Sequence, residues 1–405
     1  MKKRSGFGWL LALLRYGLCV AAGVYLWYNV PWYDRVHLRD GSRPRLISQD
    51  PGGFLVRWGT GREEVIAPEM AHYLGDAPDL ELGIATVAQR IDPRLCALAL
   101  LLFVPVPFMA AQRLVWMLAI QDVRLTRWES VKLTFAGNFF NFALPGTTGG
   151  DLIKAYYITQ YTHQKTEAVT TVFLDRVIGL LGLMALATVM FVLSWRRVTW
   201  DPAVFTSIGW GLTLVWGTLA FGCLIVFSRR LRELFKLSAF AARMPAGQHL
   251  LRIGRATVAM RRQKTLVLAS LAITVVLQAL VVVSAWVMSL ALDMHGGFVL
   301  YFICVPIGFL IAAIPISPPQ AIGVMEAAYI QFFTPGGLNS ASQAFAFALA
   351  VRVIQLVWAL PGVLVPLLGA HAPRRADLEA LEDASAAGTG DAATLGEPAR
   401  AASGG

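Results

Sequence analysis

Long apolar runs joined by short polar segments dominate the chain. A helix crossing the roughly 30 Å hydrocarbon core of a bilayer needs about 20 mostly apolar residues. Runs of that kind fall near residues 9–27, 95–120, 177–193, 205–227, 266–292 and 344–368. Two further apolar segments are broken. One, over residues 133–144, is too short to span and ends in Pro145-Gly146-Thr147-Thr148-Gly149-Gly150-Asp151; the other, over 298–316, runs into Ser317-Pro318-Pro319. The pattern predicts an all-α polytopic membrane protein with about six full spans and two broken-helix segments.

Between residues 34 and 93 the pattern changes. Val36 and Leu38 alternate with polar neighbours, and Leu46-Ile47 and Phe54-Leu55-Val56 form short apolar runs punctuated by Asp40-Gly41, Pro51-Gly52-Gly53 and Gly59-Thr60-Gly61. Such short runs between turn residues predict strands, hence a small β-rich insert. The first span follows Lys2, Lys3 and Arg4 and ends among Tyr25, Trp27, Tyr28 and Trp32. That aromatic border marks an anchored span at a membrane interface rather than a cleaved signal peptide. Residues 371–405 are rich in Ala, Gly, Asp and Glu and read as a disordered tail. Four units are expected: an anchor span over 1–33, the insert over 34–93, a transmembrane domain over 94–370, and the tail.

Composition agrees with a membrane setting. Charged residues make up 15% of the chain, against about 25% in soluble domains. The formal charge is +10. Ten of the Lys and Arg residues lie in 228–265 against the single acid Glu233. By the positive-inside rule that loop and the N-terminus are cytoplasmic in a cell (inner) membrane, which places the insert outside. Because the basic residues flank apolar spans, nucleic acid is not an expected partner. Cys19, Cys96, Cys223 and Cys304 lie apart in apolar stretches, and the six histidines are scattered. Neither a disulfide framework, nor a metal site, nor a cofactor is expected.

Two regions resemble each other. Pro145, Gly150 and Ala155-Tyr156 recur as Pro318, Gly323 and Ala328-Tyr329, and Arg176-Val177-Ile178 recurs downstream as Arg352-Val353-Ile354. Each unit reads as a long span, a broken pair and a second long span with an arginine near its start. If each broken pair is re-entrant, the two units have opposite orientations in the membrane. Inverted repeats of this kind recur in transporters, with the site near the midplane between the halves. If 298–316 spans fully, the inversion is lost.

Charged groups within spans are functional candidates by default. Arg176 and Arg352 lead, with Asp151, Asp175 and Glu326 as possible partners, and structural ion pairing is the competing explanation. Arg113, near the end of its span, can instead snorkel to an interface. Gly146, Gly149 and Gly150 precede a helix start near Asp151, where backbone N–H groups favour an anion; a tight turn capped by Asp151 accounts for them equally well. Lys154 follows that loop and either meets a phosphate or faces water. Asn138 and Asn141 can bond freed backbone or line a polar path. No nucleophile with a base stands out, so no catalytic residue is assigned.

Asn138-Phe139-Phe140-Asn141-Phe142-Ala143-Leu144-Pro145-Gly146, Gly150-Asp151-Leu152-Ile153-Lys154-Ala155, Asp175-Arg176, the stretch from Pro315 through Gly323 to Glu326, and Arg352 resemble the signature of the lysylphosphatidylglycerol synthase transmembrane-region family, whose members are flippase-like. The resemblance covers residues 95–368. It implies a module that moves a phospholipid or lipid-linked headgroup between leaflets, with membrane lipids, chiefly anionic, as partners. No aminoacyl-transferase domain follows the last span, so the chain is not expected to synthesise the lipid itself. Two positions depart from the family pattern: Pro319-Gln320-Ala321 stand where glycines are usual, and Lys154 stands where arginine is common. The insert is not a usual part of the family core. Two other classes stay open, a scaffold for a separate lipid-modifying enzyme and a membrane-embedded transferase.

Overall fold

The computed structural model describes residues 20–50, 52–74, 77–78, 80–143, 149–160, 165–194, 263–313 and 321–367, with isolated positions at 17, 162 and between 202 and 217. The basic loop (described only at its C-terminal end, from residue 263), the tail, Gly146 and most of the expected spans 9–27 and 205–227 lie outside the described residues.

The described chain opens with a helix over 20–29 (α1). Seven short strands follow: β1 (Arg35–Val36), β2 (Arg45–Asp50), β3 (Gly53–Arg57), β4 (Glu63–Ile66), β5 (Tyr73–Leu74), β6 (Ala77–Pro78) and β7 (Leu80–Glu81). Five form an antiparallel sheet in the order β4-β3-β2-β1-β7, and β5 pairs with β6. Alternation puts Phe54 and Val56 on one face, where they close over Val36, Leu38, Ile66 and Ala71. Asp34 ties the two ends of the insert together. Its carboxylate accepts from the Gly83 amide at 2.6 Å and the Thr86 hydroxyl at 2.8 Å.

The helical part comprises α2 (Ile84–Gln89), α3 (Pro93–Phe103), α4 (Pro105–Ile120), α5 (Arg127–Ala143), α6 (Gly149–Gln160), α7 (Lys165–Ser194), α8 (Lys264–Ala291), α9 (Phe298–Ala313), α10 (Val324–Phe333) and α11 (Ala341–Ala359), which runs into a 3₁₀ turn over Leu360–Val363. Among the described residues, four segments are long and apolar enough to cross a membrane: Pro93–Ile120, Ala168–Ser194, Lys264–Ala291 and Ala341–Val363. The protein is thus mostly helical with a small antiparallel sheet. The apolar run expected as one span at 95–120 is one of these segments, Pro93–Ile120, with a joint at Val104-Pro105 between α3 and α4. Pro105 has no N–H for the Leu101 carbonyl, so the Val104 amide takes that carbonyl instead. The Leu100 carbonyl, left without its usual partner, accepts from the Trp358 indole at 3.0 Å.

Packing around the two broken segments is reciprocal. α5 lies against α11 and the turn that follows it, while α9 lies against α7. α8 packs along α3 and α4. In the second half, Tyr301, Tyr329, Phe333 and Phe347 are fully buried and in ring contact, with Tyr301 and Phe333 stacked at 4.9 Å. Gly308 makes room for this cluster, because a Cβ there would lie 2.2 Å from the Tyr329 ring.

Candidate functional site

Among the described residues, six charged side chains of the helical part form three ion pairs. α6 and α10, the helices that resume after each break, carry a carboxylate in their first turn: Asp151 and Glu326. Each meets an arginine on the long helix that follows. Arg176 on α7 bonds Asp151 through Nη1. Arg352 on α11 donates to Glu326 Oε1 from Nη2 at 2.5 Å and from Nε at 3.2 Å. Glu326 uses its other oxygen to accept from the Gly323 amide at 2.7 Å, so one carboxylate serves both the helix start and the ion pair. The two pairs differ in depth. The Asp151 and Arg176 side chains are 24% and 25% exposed, those of Glu326 and Arg352 only 3% and 15%.

Asp175 does not join its neighbour Arg176. It binds Arg113 on α4 in two-pronged fashion, Nε to Oδ1 at 2.7 Å and Nη2 to Oδ2 at 3.1 Å. Arg113 Nη1 reaches the Thr274 hydroxyl on α8 at 3.2 Å. Arg113 is therefore buried and paired rather than extended to an interface, because a carboxylate and a hydroxyl inside the bundle satisfy three of its N–H groups. Successive residues on a helix point about 100° apart. Asp175 and Arg176 thus tie α7 to α4 and to α6 respectively.

In the first broken pair, α5 and α6 pack closely against each other. The Gly150 amide donates to Asn141 Oδ1 at 3.0 Å. A Cβ on Gly150 would sit 1.9 Å from the Gly137 carbonyl oxygen, and one on Gly137 would lie 2.9 Å from Lys154 Cε. Glycine at both positions is what lets α5 and α6 touch backbone to backbone. Asn138 is half-buried on α5, Gly149 begins α6, and Lys154 is buried. Among the described residues no group of three or more His, Cys, Asp or Glu is placed to hold a metal.

Sequence reasoning did not find Gly137 or Thr274. Gly137 sits four residues before Asn141 on one face of α5, a small-residue signal of close packing. Thr274 is one hydroxyl in an apolar helix and gives no such signal.

A model of the lysylphosphatidylglycerol synthase TM region matches residues 83–362, about two-thirds of the chain. The protein belongs to this family. It is a multi-pass membrane protein related to lipid handling, and all three ion pairs and the packing of α5 on α6 lie inside the matched segment. The match begins after α1 and the sheet. No curated protein and no solved structure matches the chain significantly.

Proposed function

We propose that the protein is a lipid translocase of the cell membrane that moves a phospholipid headgroup between leaflets. The carrying observation is the repeated arrangement at the two breaks: a first-turn carboxylate on the resuming helix, paired to an arginine on the next long helix, in Asp151–Arg176 and in Glu326–Arg352. Irregular backbone at membrane depth is tolerated only where it is buried in protein or lines a wet cavity. Ion pairs at two such breaks fit a polar path for a headgroup whose tails stay in lipid. The reciprocal contacts of α5 with α11 and of α9 with α7 support an inverted repeat with the path between its halves. In this reading the N-terminus and residues 228–265 are cytoplasmic, the insert is outside, and 94–370 is the translocating domain. Asn138, Asn141, Gly146, Gly149, Gly150, Asp151, Lys154 and Arg176 form the first half of the path, and Glu326 and Arg352 the second, with Arg113 behind them. The sequence has no nucleotide loop, so movement is passive or coupled to an ion or the membrane potential.

The test uses proteoliposomes carrying a fluorescent phospholipid, with a membrane-impermeant quencher added outside. The wild type is expected to bring inner-leaflet lipid to the quencher at least about tenfold faster than protein-free vesicles. The double variant Arg176→Ala/Arg352→Ala, inserted and monodisperse, is expected to fall to the protein-free rate. A wild-type rate equal to that of empty vesicles would favour the scaffold reading, and co-purification with a lipid-modifying enzyme would then be the next observation to seek.

A further inference from the structure

We infer that Lys154 is the anion-contacting residue of this path and that its uncompensated charge selects a lipid with a net negative headgroup, against zwitterionic and aminoacylated ones. The inference rests on the translocation reading for its setting but on separate observations for its content.

Arg113 is answered by Asp175, Arg176 by Asp151 and Arg352 by Glu326. Lys154 is 8% exposed and has no hydrogen bond or ion pair among the described residues. The residue is buried but its Nζ is not fully enclosed, so the ammonium stays reachable, and a charge held there inside a membrane protein without a counter-charge is costly unless a ligand supplies one. The position of the side chain is informative too. Helical side chains lean toward the N-terminus of their own helix, and Lys154 Cε lies against Gly137, the residue whose carbonyl crosses Gly150. The lysine therefore runs back along α6 toward its first turn. One turn away from Gly137 on α5, the Thr134 hydroxyl is 1% exposed and has no hydrogen-bond partner. A lysine on α6 without a counter-charge and, about one turn along α5, an unpartnered buried hydroxyl thus stand near the crossing of Gly137 and Gly150, close to a helix start, where N–H groups favour an anion.

The chemistry of the ligand follows from the balance of charge. With Asp151 and Arg176 neutralising each other, Lys154 leaves the first break with one unmatched positive charge. A phosphodiester monoanion such as the phosphatidylglycerol headgroup cancels it. A phosphocholine headgroup brings its own cation and leaves the excess in place. A lysyl-phosphatidylglycerol headgroup, with two ammonium groups on one phosphodiester, adds to it. On this account the preferred lipid is the unmodified anionic one.

The full chain is purified as wild type, Lys154→Met, Lys154→Gln and Lys154→Arg and placed in bilayers of equal phosphatidylglycerol, phosphatidylcholine and lysyl-phosphatidylglycerol. Retained lipid is read by native mass spectrometry. Wild type and Lys154→Arg are expected to enrich phosphatidylglycerol about tenfold or more over the other two, as fits one charge-assisted hydrogen bond. Lys154→Met, or Lys154→Gln if the methionine variant does not fold, is expected to retain lipid in bulk proportion. Undiminished enrichment by either folded neutral variant, or a wild-type preference for the lysyl lipid, overturns the inference. Thermal stabilisation by inorganic phosphate but not by phosphatidylglycerol vesicles overturns the lipid assignment, because the occupant is then a free anion. Enrichment that depends on Lys154 without any translocation sinks the translocation reading and leaves this one standing.

Discussion

Removing one partner of the Arg113–Asp175 pair is expected to be among the most damaging conservative changes in the protein. The two side chains are each 9% exposed, and the guanidinium makes three hydrogen bonds, at 2.7, 3.1 and 3.2 Å. Asp175→Asn leaves a buried cation facing a neutral amide, and Arg113→Met leaves a buried carboxylate facing a thioether. Breaking a buried pair from one side destabilises by about 3–5 kcal/mol, whereas replacing both members with apolar residues of similar volume is often neutral or stabilising. Arg113→Met/Asp175→Leu should therefore recover most of the loss caused by either single change. Reversible unfolding in mixed micelles, followed by circular dichroism, gives the free energies, and the double-mutant cycle isolates the coupling. Single changes that each cost less than about 1 kcal/mol, or a double variant as unstable as the two losses added, would refute the argument that this pair is a desolvated clamp. The same double variant separates two roles for Arg113. If it is a clamp, lipid selectivity survives; if it touches the headgroup, selectivity is lost at normal stability.

Other expectations follow from the same geometry. Glu326→Gln, at a carboxylate whose side chain is 3% exposed, should destabilise by about 3 kcal/mol or more, whereas Asp151→Asn, at a side chain 24% exposed, should cost about 1 kcal/mol; equal losses in the unfolding assay would contradict the difference in depth. Gly150→Ala puts a Cβ 1.9 Å from the Gly137 carbonyl oxygen and should cost about 1–3 kcal/mol or more through forced separation of α5 and α6, while Gly59→Ala, which meets nothing within 4 Å, should stay within about 0.5 kcal/mol. In the insert, the Ser42 hydroxyl and then its amide hold the Asp40 carboxyl below its ordinary range. That contribution is present above the unfolded aspartate value and is lost as pH falls through the lowered one, so Ser42→Ala should move the Asp40 titration upward by NMR; an unmoved titration would show that these bonds do not form in solution.

Much of the candidate site was legible because the same chemistry occurs twice. An acid at a helix start and an arginine about 25 residues later is a weak signal once, and a stronger one when Asp151 and Arg176 are followed by Glu326 and Arg352. The third pair was not legible. Asp175 stands next to Arg176 in sequence and invites pairing with it, but adjacent helical positions face different neighbours. Its true partner, Arg113, lies far away in the chain, near a span end where snorkelling is the simpler expectation. From the sequence, Gly150 fits either loop backbone for an anion or a tight turn capped by Asp151. The nearer physical reason for it is the Gly137 carbonyl, which only the packing of two helices could place. The span at 95–120 concealed a joint because hydropathy does not register a missing N–H at Pro105.

The N-terminal helix sets the second broken segment apart from the first. α1 lies outside the segment matched by the family, yet it packs on the second break. The Tyr25 hydroxyl accepts from Gln331 at 2.6 Å, and the Ser342 hydroxyl donates to the Pro31 carbonyl at 3.0 Å. Gly323 has φ +86°, and a Cβ there would meet Ala22 Cβ at 2.8 Å. This residue is also the one whose amide binds Glu326. Close approach of α1 therefore accounts for part of the deeper burial of the Glu326–Arg352 pair. Gly323→Ala combines a strained backbone with that contact and should push α1 away from α10. Hydrogen exchange at the first turn of α10 is then expected to speed up at least about tenfold, with α5 and α6 unchanged. Unaltered protection at α10 in a folded Gly323→Ala variant would mean that α1 does not cover this site, and the difference in depth between the two pairs would have to come from the aromatic packing of Tyr329, Phe333 and Phe347 beneath it.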